Sequence, residues 1–405
     1  MINIKYYGIV DFIIIIGVLL LPFVFWPYSG VFHEVPKVFV FQKWVELLAI
    51  VTLFAIPGLK QEKLNGKLMW LVLAFLAWSW LSAALGVNYF KSITGNFYRN
   101  DGLITLIHLV LLFFILTLLI TKKLVKKLLF AFCFPAILLS LWVITEAFLY
   151  FGFGYKSVNI WEDSGFGAAF GNPNFLAGYL LVTLPITYYQ SFKSDEKTQK
   201  LWVVGIIAQV VGIYLTRAWS AYFGVLGLVA IVFLTQFKSK KKIVVSLFSL
   251  LFLTLTLFFV RDFSQNYIPN RITAESRERI FVKGLLALKE RPITGWGWAN
   301  FDIAFDSIDW PIKFDKDAYV DKAHASILEV AVTTGTVGLF LYLSIIYITT
   351  VTLMKQKGRL YKMLALVFVL TVIHMQTNVV SISEEMVFWS LAAVSTKLNN
   401  NLRKH

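Results

Sequence analysis

The chain has 405 residues, 58% of them hydrophobic and 15% charged, with a mean hydropathy of +0.71 and a formal net charge of +15. A soluble domain carries roughly a quarter charged residues, so this composition excludes an ordinary soluble enzyme. The single cysteine, Cys133, lies inside an apolar run, which excludes intrachain disulfides and cysteine-based metal clusters.

Apolar runs near twenty residues recur along the sequence, long enough to cross a hydrocarbon core of about 30 Å as helices. In chain order the expected spans are residues 8–28, 38–57, 68–86, 103–120, 128–151, 174–192, 201–216, 218–237, 243–260, 327–350, 363–381 and 386–397. The expected fold class is an all-α polytopic membrane protein of about twelve transmembrane helices, with one folded external loop between the ninth and tenth. The first run has no small-residue cleavage site and is followed at once by another apolar run, so it reads as a retained span rather than a signal peptide. Alternate connections collect the cations: Lys60, Lys63 and Lys67; Lys122, Lys123, Lys126 and Lys127; Lys193, Lys197 and Lys200; Lys238 to Lys242; Lys355, Lys357, Arg359 and Lys362. The other short connections hold only Lys37, Lys91, Arg99, Lys156 and Arg217. This positive-inside bias puts both termini in the cytoplasm and makes most of the basicity topological, so nucleic acid is not expected as a partner. The chain divides into a transmembrane bundle (1–260), an external loop domain (261–326) and C-terminal helices with a short cytoplasmic tail (327–405).

The unusual sequence is external. Short loops lie around Ser29–Pro36, Asn88–Asp101 and Gly152–Asn172, and the loop from Arg261 to Ala325 is about 65 residues, too long for a plain connection. Within it, Ala274–Glu290 has amphipathic spacing: Phe281, Gly284, Leu285 and Leu288 form a stripe expected to be buried, opposite Lys283, Lys289 and Glu290. Arg277 falls on that stripe and Arg279 on the side of Lys283. Pro292 should stop the helix, and Gly295 and Gly297 should make a tight turn. Asp302–Asp321 reads as acidic, aromatic and irregular.

Three external residues carry candidate chemistry. Arg217, between two closely spaced spans, is costly at that depth unless it meets an anion; the alternative is snorkelling to headgroups. Arg277 presents a fork that suits a diphosphate, or else pairs with Glu275 or Glu278 at the helix start. His324 lies where the loop re-enters the membrane, as a proton acceptor or a structural group. His108 and His374 read as helix-packing residues, His33 lies in a short loop, and His405 ends the tail. Lys43 and Glu46 read as a structural pair. Asp315 with Asp317, or Glu162 with Asp163, could hold a cation but have no histidine at ligand spacing. No Walker-type phosphate loop is present.

Ala169–Pro185 (AFGNPNFLAGYLLVTLP), Ser276–Phe301 (SRERIFVKGLLALKERPITGWGWANF) and Asp321–Leu339 (DKAHASILEVAVTTGTVGL) occur in that order. Together they resemble the core of the O-antigen ligase and O-antigen polymerase superfamily, and GNFYRNDGL (Gly95–Leu103) is similar to the start of the family's fourth span. The resemblance maps the family's NPN to Asn172, Pro173 and Asn174, its Ser-Arg to Ser276 and Arg277, and its turn to Pro292, Gly295 and Gly297. Its histidine, Leu-Glu and paired glycines fall on His324, Leu328, Glu329, Gly335 and Gly338. Two departures stand out. Ala325 replaces the family's asparagine after the histidine, and the hinge arginine, expected at Trp219, stands at Arg217.

The resemblance implies an inverting glycosyltransferase that takes a glycan from a polyprenyl (undecaprenyl) diphosphate in a bacterial inner membrane. His324, Arg277 and Arg217 would be catalytic, and Arg279, Arg99, Asn172 and Asn174 would bind substrate. Arginines would do the work of a metal, so no metal and no cofactor are expected. The acceptor could be a glycan, a lipid core or a protein. A polymerase extending the carrier-bound glycan is the nearest alternative, and a transporter of lipid-linked sugar the next.

Overall fold

The computed structural model describes residues 2–28, 31, 33–55, 66–155, 160–161, 165–236, 275–312 and 319–398. Its helices are α1 (Ile2–Leu20), α2 (Glu34–Ala55), α3 (Gly66–Ala84), α4 (Tyr89–Thr94), α5 (Leu103–Leu119), α6 (Lys122–Phe153) and α7 (Pro173–Ser191). They continue as α8 (Glu196–Leu215), α9 (Trp219–Gln236), α10 (Arg277–Glu290), α11 (Phe301–Asp306), α12 (Ser326–Met354), α13 (Arg359–His374) and α14 (Ile382–Leu398). A two-stranded antiparallel ladder, β1 (Ile160–Trp161) with β2 (Gly165–Phe166), is the only sheet among the described residues.

Helix starts are set by short polar side chains that accept otherwise orphaned backbone N–H groups. Asn88, Thr121, Asn172, Asp195 and Ser276 cap α4, α6, α7, α8 and α10 in this way. In the long helices of the bundle the residues between the caps are mostly apolar, and a helix satisfies its own backbone without water. α7 is the most enclosed, packed by α6, α8, α9 and α13, while α12 runs along α3 and α14 along α5. Large apolar side chains such as Phe12, Phe54, Trp70, Leu201, Phe340 and Tyr347 remain exposed on the bundle's flanks. An apolar belt of that extent is the signature of a lipid-facing surface.

Among the described residues, Gly66–Ala84, Lys122–Phe153, Glu196–Leu215 and Ser326–Met354 are long and apolar enough to cross a membrane, and Gly8–Phe23, Leu103–Leu119 and Trp219–Val229 are shorter apolar helices. The chain is an all-α, multi-pass membrane protein. Each expected span falls on a helix except 243–260, which lies outside the described residues, as do Asp315, Asp317, Glu162 and Asp163.

The segment from Glu275 onward has its own small core, in which Ile280, Ala287, Trp296, Phe301, Phe305, Ile308 and Val320 meet Val332 of α12. Its start differs from expectation in one respect: Phe301–Asp306 is helical rather than irregular. The expected turn is present, with Gly295 at φ +70° and Gly297 at φ +96°. It is docked by backbone bonds: Trp296 N–H donates to Val332 O (3.0 Å), Gly297 N–H to Thr333 O (2.9 Å) and Thr336 N–H to Pro292 O (2.8 Å). α12 breaks to receive it, at Gly335 with φ +69°, where a Cβ would lie 2.0 Å from Ile293 O. Ser82 Oγ of α3 sits 2.7 Å from both Thr294 O and Thr333 O.

Candidate functional site

His324 stands in the non-helical approach to α12, and every contact that fixes it comes from the same end of the bundle. The chain before it is laced to the Asn88–Asp101 loop. Asn300 Nδ2 donates to Ser92 Oγ (3.1 Å), Trp298 Nε1 to Asp101 O (3.0 Å) and Asn96 Nδ2 to Tyr319 Oη (2.7 Å). Lys91 pairs with Asp302, and Arg99 Nε with Asp321 Oδ2 at 2.5 Å. Lys322 is held between Asp101 and Glu329, the latter at 3.2 Å. Burial opposes both charges, yet each partner outweighs it: Lys322 keeps the Asp101 carboxyl below its usual range, and the carboxylates raise Lys322 well above the usual ammonium range.

The imidazole Nδ1 lies 2.9 Å from Lys322 O, so Nδ1–H donates to that carbonyl and the lone pair resides on Nε2. The ring is oriented by a backbone carbonyl; the carboxylates on either side of it in sequence, Asp321 and Glu329, are engaged by Arg99 and by Lys322 and the Ala323 N–H. His324 itself is left-handed, φ +54°, a region that histidine tolerates better than most residues. Burial, then the nearby Arg277 charge, lowers its pKa from 6.5 to about 4. The ring is therefore neutral at pH 7.

After His324, Ala325 offers α12 no side-chain cap. Gln376, just past α13, supplies it: Gln376 Oε1 accepts from Ile327 N–H at 3.0 Å and its Nε2 donates to Ser326 Oγ at 2.7 Å. The cap that an asparagine at position 325 would give locally comes here from a distant helix end.

His324 opens onto a cavity lined by Glu34, Arg99, Asp101, Lys322, Glu329 and Glu385, about 610 Å³ in open volume. An adjoining space of about 700 Å³ shares Asp101, Lys322, Glu329 and Glu385 and runs on between Phe75, Trp298, Tyr342, Phe388 and Trp389. Glu34 and Glu385 were not legible as site residues, because each sits at the start of an apolar helix, where an acidic residue is ordinary.

α10 keeps part of its expected division, with Gly284 buried, Leu288 partly buried against the small core and Lys289 and Glu290 exposed, and differs in the rest. Its buried face is Arg279, Ile280, Lys283, Gly284 and Ala287, whereas Phe281 and Leu285 are exposed. Arg279 pairs with Glu275 (2.8 Å), donates to Pro311 O (2.8 Å) and stacks with Lys283 on Phe305. These contacts hold two of its guanidinium nitrogens within the loop domain. Arg277 lies on the exposed stripe and, among the described residues, has no ion pair or hydrogen bond from its side chain. The helix-start pair weighed for Arg277 is made by Arg279 instead.

Arg217 is exposed in the α8–α9 turn at φ +54° and does not line the cavity. The turn is tied to the site through Ser220, whose Oγ accepts from Asn378 Nδ2 at 2.6 Å, and Asn378 does line the cavity. Asn172 is the α7 cap, accepting from Asn174 N–H at 2.9 Å, and neither asparagine faces the cavity. Gly171 beside them packs on His33, which burial and the Lys37 cation lower to about 4. His108 contacts Glu46 (3.3 Å), which pairs with Lys43 (2.8 Å), as expected of packing residues. His374 is more than that. Its Nδ1 contacts Glu384 Oε1 at 2.9 Å, both nearly inaccessible, and its Nε2 faces Asn378 Nδ2 at 3.2 Å.

The O-antigen ligase family profile matches residues 204–343. That stretch contains Arg217, Arg277, Arg279, His324 and Glu329 and begins after Arg99 and the NPN segment. No curated protein matches the chain.

Proposed function

We propose, on the premise that residues 204–343 form an O-antigen ligase domain, that this chain is an inverting glycosyltransferase that moves a glycan from a polyprenyl diphosphate to an acceptor hydroxyl outside the cytoplasm. The observation that carries the reading is the pairing of a neutral histidine, with Nε2 free, beside the uncommitted cation Arg277. Arg277 would neutralise the diphosphate as the anomeric bond breaks, with Arg217 assisting from the neighbouring turn. His324 Nε2 would accept the acceptor's proton in the same displacement. The two roles are coupled by charge. A bound diphosphate screens Arg277 from the imidazole, so donor binding raises the proton affinity of the base when it is needed.

The same reading puts both termini in the cytoplasm, about twelve spans in the membrane and residues 261–326 outside, supported by the lysine asymmetry. The three motifs belong to a core shared by ligases and polymerases; transfer off the carrier is the reading proposed here, with extension of the carrier-bound glycan as the alternative. The test is purified protein with a lipid-linked glycan and candidate acceptors. Product released from the carrier supports a ligase, lengthening of the carrier-bound chain a polymerase, and passage across vesicles without product would remove the enzyme reading.

A further inference from the structure

The cavity below His324 is unbalanced in charge. Glu34, Asp101, Glu329 and Glu385 face it, against Arg99 and Lys322. Both cations are already engaged, Arg99 by Asp321 and Lys322 by Asp101 and Glu329. Two carboxyls are left over. Glu34 is 7% exposed; its Oε1 accepts from Ile382 N–H at 2.6 Å, while its buried Oε2 has no hydrogen-bond partner. Glu385 lines both spaces and, among the described residues, its carboxyl has no ion pair or hydrogen bond. A buried acceptor left unmet is costly, so each of these carboxyls calls for a donor, from water or from a ligand. Among the described residues no three His, Cys, Asp or Glu side chains are gathered as metal ligands.

We infer that this cavity is a sugar subsite for a hydroxyl-rich group that is uncharged or bears an amine, and that it discriminates against anionic sugars. Glu34 and Glu385 accept hydrogen bonds from O–H or N–H groups, and in their ionised form they repel a carboxylate or phosphate. Arg277, which has no side-chain ion pair among the described residues, is not among its lining residues, so the proposed diphosphate partner and the unpaired carboxyls lie apart. The diphosphate rests on the transferase reading; the sugar subsite does not.

The test uses the full chain in nanodiscs, titrated with methyl glucoside, methyl glucosaminide and methyl glucuronide and followed by saturation-transfer NMR, with empty nanodiscs as control. The glucuronide should bind on the order of tenfold more weakly than the other two, since opposing like charges costs at least that factor. Glu34→Gln and Glu385→Gln should each narrow the gap, in variants whose melting matches the parent. If neither variant folds, salt decides: raising ionic strength should shrink the discrimination in the unmodified protein. Glucuronide binding as tight as the glucoside, a ranking indifferent to both substitutions and to salt, or no saturable binding at all would overturn the inference. The expected ranking in a protein that transfers no glycan would keep the subsite and remove the transferase reading; transfer with the ranking reversed would do the opposite.

Discussion

Glu329, in the first turn of α12, accepts the backbone N–H of Ala323 at 2.8 Å, one residue before His324. A helical side chain thus reaches back and closes the loop whose tip is the candidate base. Glu329→Ala should unfasten that tip and leave Lys322 half-paired, costing about 1–3 kcal/mol of stability and at least tenfold in transfer rate. Glu329→Gln keeps an acceptor for Ala323 and should recover most of the melting temperature. A Glu329→Ala protein with unchanged rate would show that the loop holds its shape without this bond.

Gln376 caps α12 in place of a local side chain. Gln376→Ala should cost about 1 kcal/mol, the usual worth of an N-cap. Ala325→Asn in that background should restore it, whereas Ala325→Asn alone should add little. Thermal melts of the four proteins form a complete cycle, and additivity of the two changes would rule out a shared cap.

The pH dependence follows from the lowered pKa of His324. Its base form persists down to about pH 4, so the acid limb of kcat/KM should lie near 4 rather than near 6.5. Arg277 disfavours the imidazolium, so removing it raises the pKa. Arg277→Gln should therefore move the acid limb upward while lowering the plateau. His324→Ala should abolish that limb and lose about 10²- to 10⁴-fold in rate.

Two arginines on one helix should separate cleanly. Arg277→Ala should melt like the parent and lose on the order of a hundredfold in rate, with lysine a poor substitute. Arg279→Ala leaves Glu275 buried without its partner and should cost about 3–5 kcal/mol, with folded protein nearly as active as the parent. Equal loss of stability in both variants would contradict the opposite exposures of the two side chains.

Orientation can be read by labelling. Cys133 is buried and gives little background. Cysteines at Asp309 and Lys357 should react with an impermeant reagent from opposite sides of intact cells and inverted vesicles. Reaction of both from one side would overturn the proposed topology.

The helices were legible because lipid demands long apolar runs, and Pro292, Gly295 and Gly297 because their backbone chemistry is local. The faces of α10 were not. Spacing says that Arg277, Phe281 and Leu285 share a side, but it does not say that the side bearing Ile280 and Ala287 is the one that packs. His374 was read as packing because its partner, Glu384, follows a turn that carries no charge pattern. Glu34 and Glu385 stand 351 positions apart by number and meet only because α2 and α14 end at the same level.

The break in α12 at Gly335 gives the docked turn at Gly295 its seat, and α3 supplies Ser82 between them. Recombination between relatives therefore has a seam it cannot cut. A chimera that imports residues 275–325 from another member as a cassette carries a turn shaped for a different notch. A folded chimera should result only when the 332–336 segment and the end of α3 travel with it.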